Sequence, residues 1–297
     1  MKNKIKKRHF YVPFFLICQI VLVHCAFDPP QSLQKKTGIA IVAGDAAKDS
    51  RFFCNRQQAA VIENAIKWMN RYSESAYSFL LDDDSRTSAA FIGWLGDRNI
   101  ERSTSIRTEI LHPIYRLSSQ TRPYASALAE LEDTVVIGCG TPEIASPCRE
   151  PETIAFARSR SSTVVVCPVA FSNNGYFGTD AAEQATMSAW RTRRTYSPSA
   201  GLSLLHEMTH LKDVVGGFGD WPPKYGRSVD VTYAPSKCIA LSSSKKIANA
   251  QNYMLFALEV KANLENASKK VAAGVPNKWQ DATRLLRAGV GGRAEAP

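Results

Sequence analysis

The sequence predicts a helix-dominated α+β domain with a small β-sheet or hairpin. Stretches with the apolar spacing of amphipathic helices occur both before and after the middle of the chain. Between them lie two short β-branched runs, Thr134-Val135-Val136-Ile137 and Thr163-Val164-Val165-Val166. Each is bounded by turn residues, as strands are, and each is followed closely by a cysteine. At 297 residues, 44% apolar and 22% charged, the chain can bury a substantial core in one domain, or at most two modest ones.

The first element is not part of that core. Lys2, Lys4, Lys6, Lys7 and Arg8 precede an apolar run from Phe10 to Val23, with small residues following at Cys25-Ala26. A basic head, a short apolar middle and a small-residue end describe a secretory signal peptide, assigned to residues 1–25. The run is about fourteen residues and contains Pro13 and Gln19. A spanning helix needs about 20 residues, so no membrane association is expected once the signal is removed. Loss of those five cations takes the net charge from +10 to +5. No basic stripe with interleaved aromatics remains, which excludes a nucleic-acid partner. A monomer is expected.

Residues 26–53 read as a short lead-in. From Gln57 the spacing of Val61, Ile62, Ala65, Ile66 and Met69 predicts a helix. Further helices are expected over Thr87–Leu95 and Thr104–Leu117, the latter interrupted at Pro113. After the two strands come helices over Ala181–Trp190, Ala200–Leu211 and Ser243–Leu264. The domain is bounded at 54–270, and residues 271–297 read as a polar, loosely ordered tail. Five of the seven cysteines outlast the signal: Cys54, Cys139, Cys148, Cys167 and Cys238. In an oxidising compartment they predict two disulfides and one free thiol, and none has the C-x2-C spacing of a structural zinc site. Asn266-Ala267-Ser268 is a glycosylation sequon.

The chemistry concentrates at His206-Glu207-Met208-Thr209-His210, which reads H-E-x-x-H. On a helix, histidines four residues apart share a face, where both imidazoles can reach one Zn2+. The adjacent glutamate is then placed to take a proton from an attacking water. Ser197 or Ser199 can cap this helix, and nothing from Gly201 to Lys212 breaks it. A catalytic zinc needs a third protein ligand. The metzincin pattern is excluded, because Asp213 and Gly216 stand where its glycine and last histidine belong. Glu259 is a candidate third ligand from a downstream helix, of the kind thermolysin-like enzymes use. The other histidine beyond the signal is His112. Asp220 is a weaker competitor in the following loop, and Asp213 reads as a surface charge.

The end of that loop, Ser228-Val229-Asp230-Val231-Thr232-Tyr233-Ala234, resembles the G-T-x-D-x-x-Y-G signature of the deuterolysin (aspzincin) metalloendopeptidases. It keeps the aspartate and tyrosine at the right separation and departs at Arg227, Ser228 and Ala234. Asn249-Ala250-Gln251-Asn252-Tyr253, followed by Phe256-Ala257, is similar to the N-A-x-x-Y-x-x-F-A helix of the same enzymes. The resemblance covers roughly Cys54 to Leu264 and is strongest over 201–257.

The resemblance implies a zincin-like fold and a secreted zinc endopeptidase acting on internal bonds of protein and peptide substrates. It implies that His206, His210 and Asp230 hold one Zn2+, that Glu207 is the general base, and that Tyr233 hydrogen-bonds the oxyanion. It also implies the pairs Cys54–Cys139 and Cys148–Cys167, with Cys238 unassigned. Two alternatives stand beside it. One is a binding protein on a catalytically decayed protease scaffold, and the other is a glutamate-ligand protease using Glu259.

Overall fold

The computed structural model describes residues 36–118, 124–128, 132–171, 178–215, 228–274 and 278–287. The proposed signal, the first ten residues of the lead-in, Asp220 and the last ten residues lie outside them. The expected helix-dominated α+β class is what the chain adopts.

A five-stranded sheet has the order β2-β1-β3-β5-β4. Its strands are β1 (Gly38–Val42), β2 (Tyr124–Ala125), β3 (Thr134–Cys139), β4 (Ala155–Arg158) and β5 (Thr163–Val166). The two β-branched runs pair in parallel, Val136 opposite Thr163 and Ile137 opposite Val164. β4 runs antiparallel to β5 and forms the edge. β1, β3 and β5 are buried along their whole lengths, as expected of a parallel sheet covered on both faces. Ile39, Ile41, Val135, Ile137, Val164 and Val166 face the helical core. Val42, Val136 and Val165 face small clusters under Phe52, Phe53 and Leu128.

The strand β1 corrects the reading of residues 26–53 as a mere lead-in. Gly38–Val42 lies between β2 and β3, inside the sheet. Disulfides Cys54–Cys139 and Cys148–Cys167 form as the resemblance implied, and Cys238 is free and buried.

The longest helix, α1 (Arg56–Phe79), opens with a capping box between Asn55 and Gln58, two bonds of 2.9 Å. Its Ile62, Ala65, Ile66, Met69 and Tyr72 are buried. The expected helix over Thr87–Leu95 is instead a 3-10 segment, Asp83–Thr87, followed by a π segment, Phe91–Leu95. The next stretch contains α2 (Ser103–Ser105), a π segment at Ile106–Leu111, and α3 (His112–Ser118). Pro113 follows directly on the π segment, whose closing bond runs from the His112 N–H to the Arg107 carbonyl.

The second half contains α4 (Asp180–Arg193), α5 (Ala200–Thr209), the short α6 (Lys212–Val215), α7 (Pro235–Ala240) and α8 (Ser243–Ala248). The central helix α9 (Ala250–Ala262) is buried on nearly every side, which explains its lack of a polar face. The expected single helix from Ser243 to Leu264 therefore breaks at Asn249, whose backbone is extended. α10 (Leu264–Ala267) carries the sequon, but Asn266 is buried and accepts from Lys269, so the folded chain does not present it for glycosylation. α11 (Lys278–Arg287) falls within the tail expected at 271–297, and its Ala282 and Leu286 are buried in the core.

The close approach that sets the site is between α1 and α5. A Cβ on Gly201 would lie 2.5 Å from the Trp68 Cβ, so only glycine lets the two helices meet there. No helix among the described residues is long and apolar enough to cross a membrane.

Candidate metal centre

The start of α5 is fixed by a buried carboxylate. Ser199 is the N-cap residue, yet its hydroxyl makes no cap bond and donates to Glu183 Oε2 at 2.6 Å. Glu183 takes over the capping role, accepting from the Gly201 N–H at 2.7 Å and from the Tyr72 hydroxyl at 2.9 Å. Burial pushes its carboxyl up, against these three donors. Leu202, Leu204, Leu205 and Met208 are fully buried, so α5 is held rigidly along its length.

His206 and His210 share one face of this helix, with Nε2 atoms 3.2 Å apart. Asp230 arrives from the loop before α7. Its Oδ1 lies 3.0 Å from His206 Nε2 and 3.3 Å from His210 Nε2. Metal–ligand bonds of about 2.0–2.1 Å at tetrahedral angles place donor atoms about 3.3 Å apart. These three edges match one face of such a tetrahedron, and the residues group as a possible metal-binding triad. Both histidines are buried, whereas the Asp230 side chain is 38% exposed, so the fourth direction opens to solvent.

The far side of each imidazole is also committed. His206 Nδ1 lies 3.0 Å from Gln251 Oε1, and His210 Nδ1 lies 3.1 Å from the Ser228 carbonyl. A carbonyl oxygen only accepts, so Nδ1 carries a proton in both rings; in the neutral form of each ring the Nε2 lone pair then points at the triangle's centre. Burial opposes charge on Asp230 and on His210, but the hydrogen bonds between them win. The aspartate is held far below the usual carboxylate range, and His210 is raised.

The loop is pinned from both ends. The Ser228 hydroxyl donates to the Thr209 carbonyl at 2.9 Å, and its own N–H reaches the same oxygen. Val229 makes backbone bonds to Ala248 and Ala250. Asn249 then clamps the next two residues: its Oδ1 accepts from the Val231 N–H at 2.9 Å, and its Nδ2 donates to the Thr232 carbonyl at 3.0 Å.

Two further groups border the triangle. Glu207 is buried and receives the Ala157 N–H of edge strand β4. Burial pushes its carboxyl up, opposed by the two histidines. Tyr233 is 57% exposed and stacks on the His206 ring, 5.7 Å between centroids. Burial of its inner half and the nearby Asp230 carboxylate raise its phenol.

A profile of the aspzincin family, described as lysine-specific metallo-endopeptidase, matches residues 116–258, the span that contains the triad, its loop and most of α9. Over this span the chain is similar to the aspzincin metalloendopeptidases. It is 24% identical over 214 residues to a neutral protease 2 homolog of Blastomyces gilchristii (strain SLH14081), an overlap of 71% of this chain and 46% of that protein. The chain thus spans about half the length of this relative.

Of the sequence-predicted residues, the fold brings together His206, His210 and Asp230, with Glu207 and Tyr233 beside them. Among the described residues, the other candidates lie apart from them. Glu259 is buried in an ion pair with Arg194 and accepts from Trp190 Nε1. It stands eight residues beyond Gln251 on α9, about 12 Å along the axis, which removes it as a third ligand. His112 stacks against Tyr77 and Tyr115. Asp213 is half-buried and accepts from the Ser162 hydroxyl, so it is a structural partner and not a free surface charge. Sequence reasoning missed Gln251, Asn249, Ser228 and Glu183 as supports. Gln251 and Asn249 were visible only as members of the N-A-x-x-Y segment, whose polar positions have no use in an ordinary core helix.

Proposed function

We propose that this chain is an aspzincin, a secreted zinc endopeptidase that hydrolyses internal peptide bonds of proteins. The observation that carries this reading is the donor triangle of His206, His210 and Asp230, with both imidazole tautomers set by Gln251 and Ser228. Two neutral nitrogens and one carboxylate suit zinc. Bound there, the ion supplies Lewis acidity that polarises a carbonyl and eases loss of a proton from water.

The chain's own groups do the rest. Glu207, adjacent in sequence and buried beside the histidines, accepts the proton of the attacking water and returns it to the departing amine. The Ala157 N–H of the edge strand favours its charged form. The Tyr233 phenol, kept protonated by its surroundings, donates a hydrogen bond to the oxyanion as charge develops. Its stacking on His206 sets the approach of that hydroxyl to the centre.

Two of the three altered signature positions support an intact site over a decayed one, while Arg227 lies outside the described residues. Ser228 supplies the hydroxyl that threonine would, bonded to the Thr209 carbonyl. Ala234 sits at φ −68°, a conformation that needs no glycine. Two disulfides fit an oxidising compartment and hence secretion. The test is zinc analysis of the purified chain together with digestion of a mixed protein substrate, cleavage sites being mapped by mass spectrometry. One zinc per chain and internal cleavages are expected. Stoichiometric zinc with no cleavage of any protein would favour the binding-protein reading.

A further inference from the structure

Away from the metal centre, a cavity of about 290 Å3 opens between α7, α11 and two indoles. Its apolar walls include Trp94, Trp190, Ile239 and Leu286. One charged pair enters it. Arg194 Nη1 donates to Glu259 Oε2, which also takes the Trp190 indole N–H at 3.1 Å, while Glu259 Oε1 takes Asn263 Nδ2 at 3.0 Å. The carboxylate is therefore fully partnered.

The guanidinium is not. Arg194 Nε and Nη2, the edge that forms a bidentate fork, are buried and have no partner among the described residues. The indole Nε1 of Trp94 is buried and unpartnered as well. Leaving one such donor unmade costs about 1–3 kcal/mol, and more when it is charged. An ion pair serving only to tie α4 to α9 has no need of three surplus donors at one cavity. The placement of Arg194 is also unusual. It ends α4 in the left-handed region, at φ 55° and ψ 25°, where glycine or asparagine is the ordinary choice. From there its guanidinium lies 5.4 Å from the centre of the Trp190 ring.

The geometry points to a binding site for a small monocarboxylate with an apolar or aromatic body. The carboxylate oxygens take the Nε/Nη2 fork of Arg194, with the Trp94 N–H as a third donor, and the body lies between the indoles and Leu286. Arg194 and Arg287 against Glu259 leave one net positive charge, matched by one negative. A cavity of about 150 Å3 holds benzene, so this volume takes an aryl ring with a short acid chain. The inference does not depend on the reading of the metal centre, since no lining residue belongs to it.

The experiment titrates the purified full chain with 3-phenylpropanoate, followed by calorimetry and by indole fluorescence, for which Trp94 and Trp190 are built-in reporters. Saturable binding is expected, about tenfold or more weaker for 3-phenylpropanamide. Arg194→Lys, which keeps the charge opposite Glu259 but lacks the fork, should weaken the acid by a similar factor. Thr283→Phe, which fills the cavity from α11 without touching the ion pair, should abolish binding even if the arginine variant folds poorly. Asp230→Asn should leave binding unchanged. The proposal is overturned if acid and amide bind alike, or if Asp230→Asn or chelation removes binding, which would place the acid at the metal. It is equally overturned if no binding is seen at millimolar acid, in which case the cavity holds water only.

Discussion

A pair of histidines four apart on a helix is common; what makes His206 and His210 ligands is the group behind each ring. The H-E-x-x-H spacing was fully legible, because it depends only on helical geometry. Gln251 was not, because its role depends on α9 crossing behind α5. Removing such an outer partner from a metal site typically costs 10–100-fold in affinity. Gln251→Leu should therefore lower zinc affinity by about that factor, measured by chelator competition, with the fold intact by circular dichroism. Unchanged affinity would mean that the tautomer of His206 is set by something else. Glu207→Gln separates chemistry from binding. It should retain one zinc and lose at least about a hundredfold in peptidase rate, the general-base contribution. A variant that keeps its activity would remove Glu207 from the mechanism.

Among the elements, the break between α8 and α9 matters most. Helical periodicity runs without interruption from Ser243 to Leu264, and asparagine is only mildly unfavourable inside a helix, so the sequence reads as one helix. In the fold, Asn249 leaves the helix to bond Val231, Thr232 and Asn252, and the loop bearing Asp230 and Tyr233 hangs on those bonds. Asn249→Ala strands these groups and should destabilise the chain by about 1–3 kcal/mol. It should also reduce zinc content and activity together, whereas Glu207→Gln reduces activity alone. Full activity in Asn249→Ala, with zinc retained, would show that the loop is held by its backbone bonds to Ala248 and Ala250. The other two unexpected elements carried usable signals. Gly38-Ile39-Ala40-Ile41-Val42 is a strand-length apolar run, and Ala282 with Leu285 and Leu286 is a short helical stripe. Each was overlooked because its flanks are polar, and short apolar runs gain meaning only when a partner element is known.

At the scale of the whole molecule, the fold class followed from composition and periodicity, but where buried charge sits did not. Lys246 shows why. On sequence it is one of two lysines on a surface-like stretch; in the fold it is 1% exposed, with Nζ donating to the carbonyls of Ile92 and Gly93 at 3.3 and 2.8 Å. Burial lowers its pKa from 10.5 to about 8, partly offset by Asp97. The sign follows from proton counting. Between about pH 8 and 10.5 the unfolded chain holds this proton while the folded chain has released it, so stability rises with pH across that window. Below pH 8 both states are charged and the full penalty of burying the ammonium is present. Going from pH 7 to 9.5, this one group should add about 2 kcal/mol to the unfolding free energy. Lys246→Met carries no such proton, so the stability of the native chain relative to this variant should climb by that amount over the same interval. Urea midpoints of both proteins at the two pH values measure it. The subtraction cancels the other alkaline titrations, including that of buried Cys238, whose thiol is pushed up to about 12. A difference that stays flat would mean that the carbonyls of Ile92 and Gly93 hold the ammonium charged, and that its burial costs the fold little.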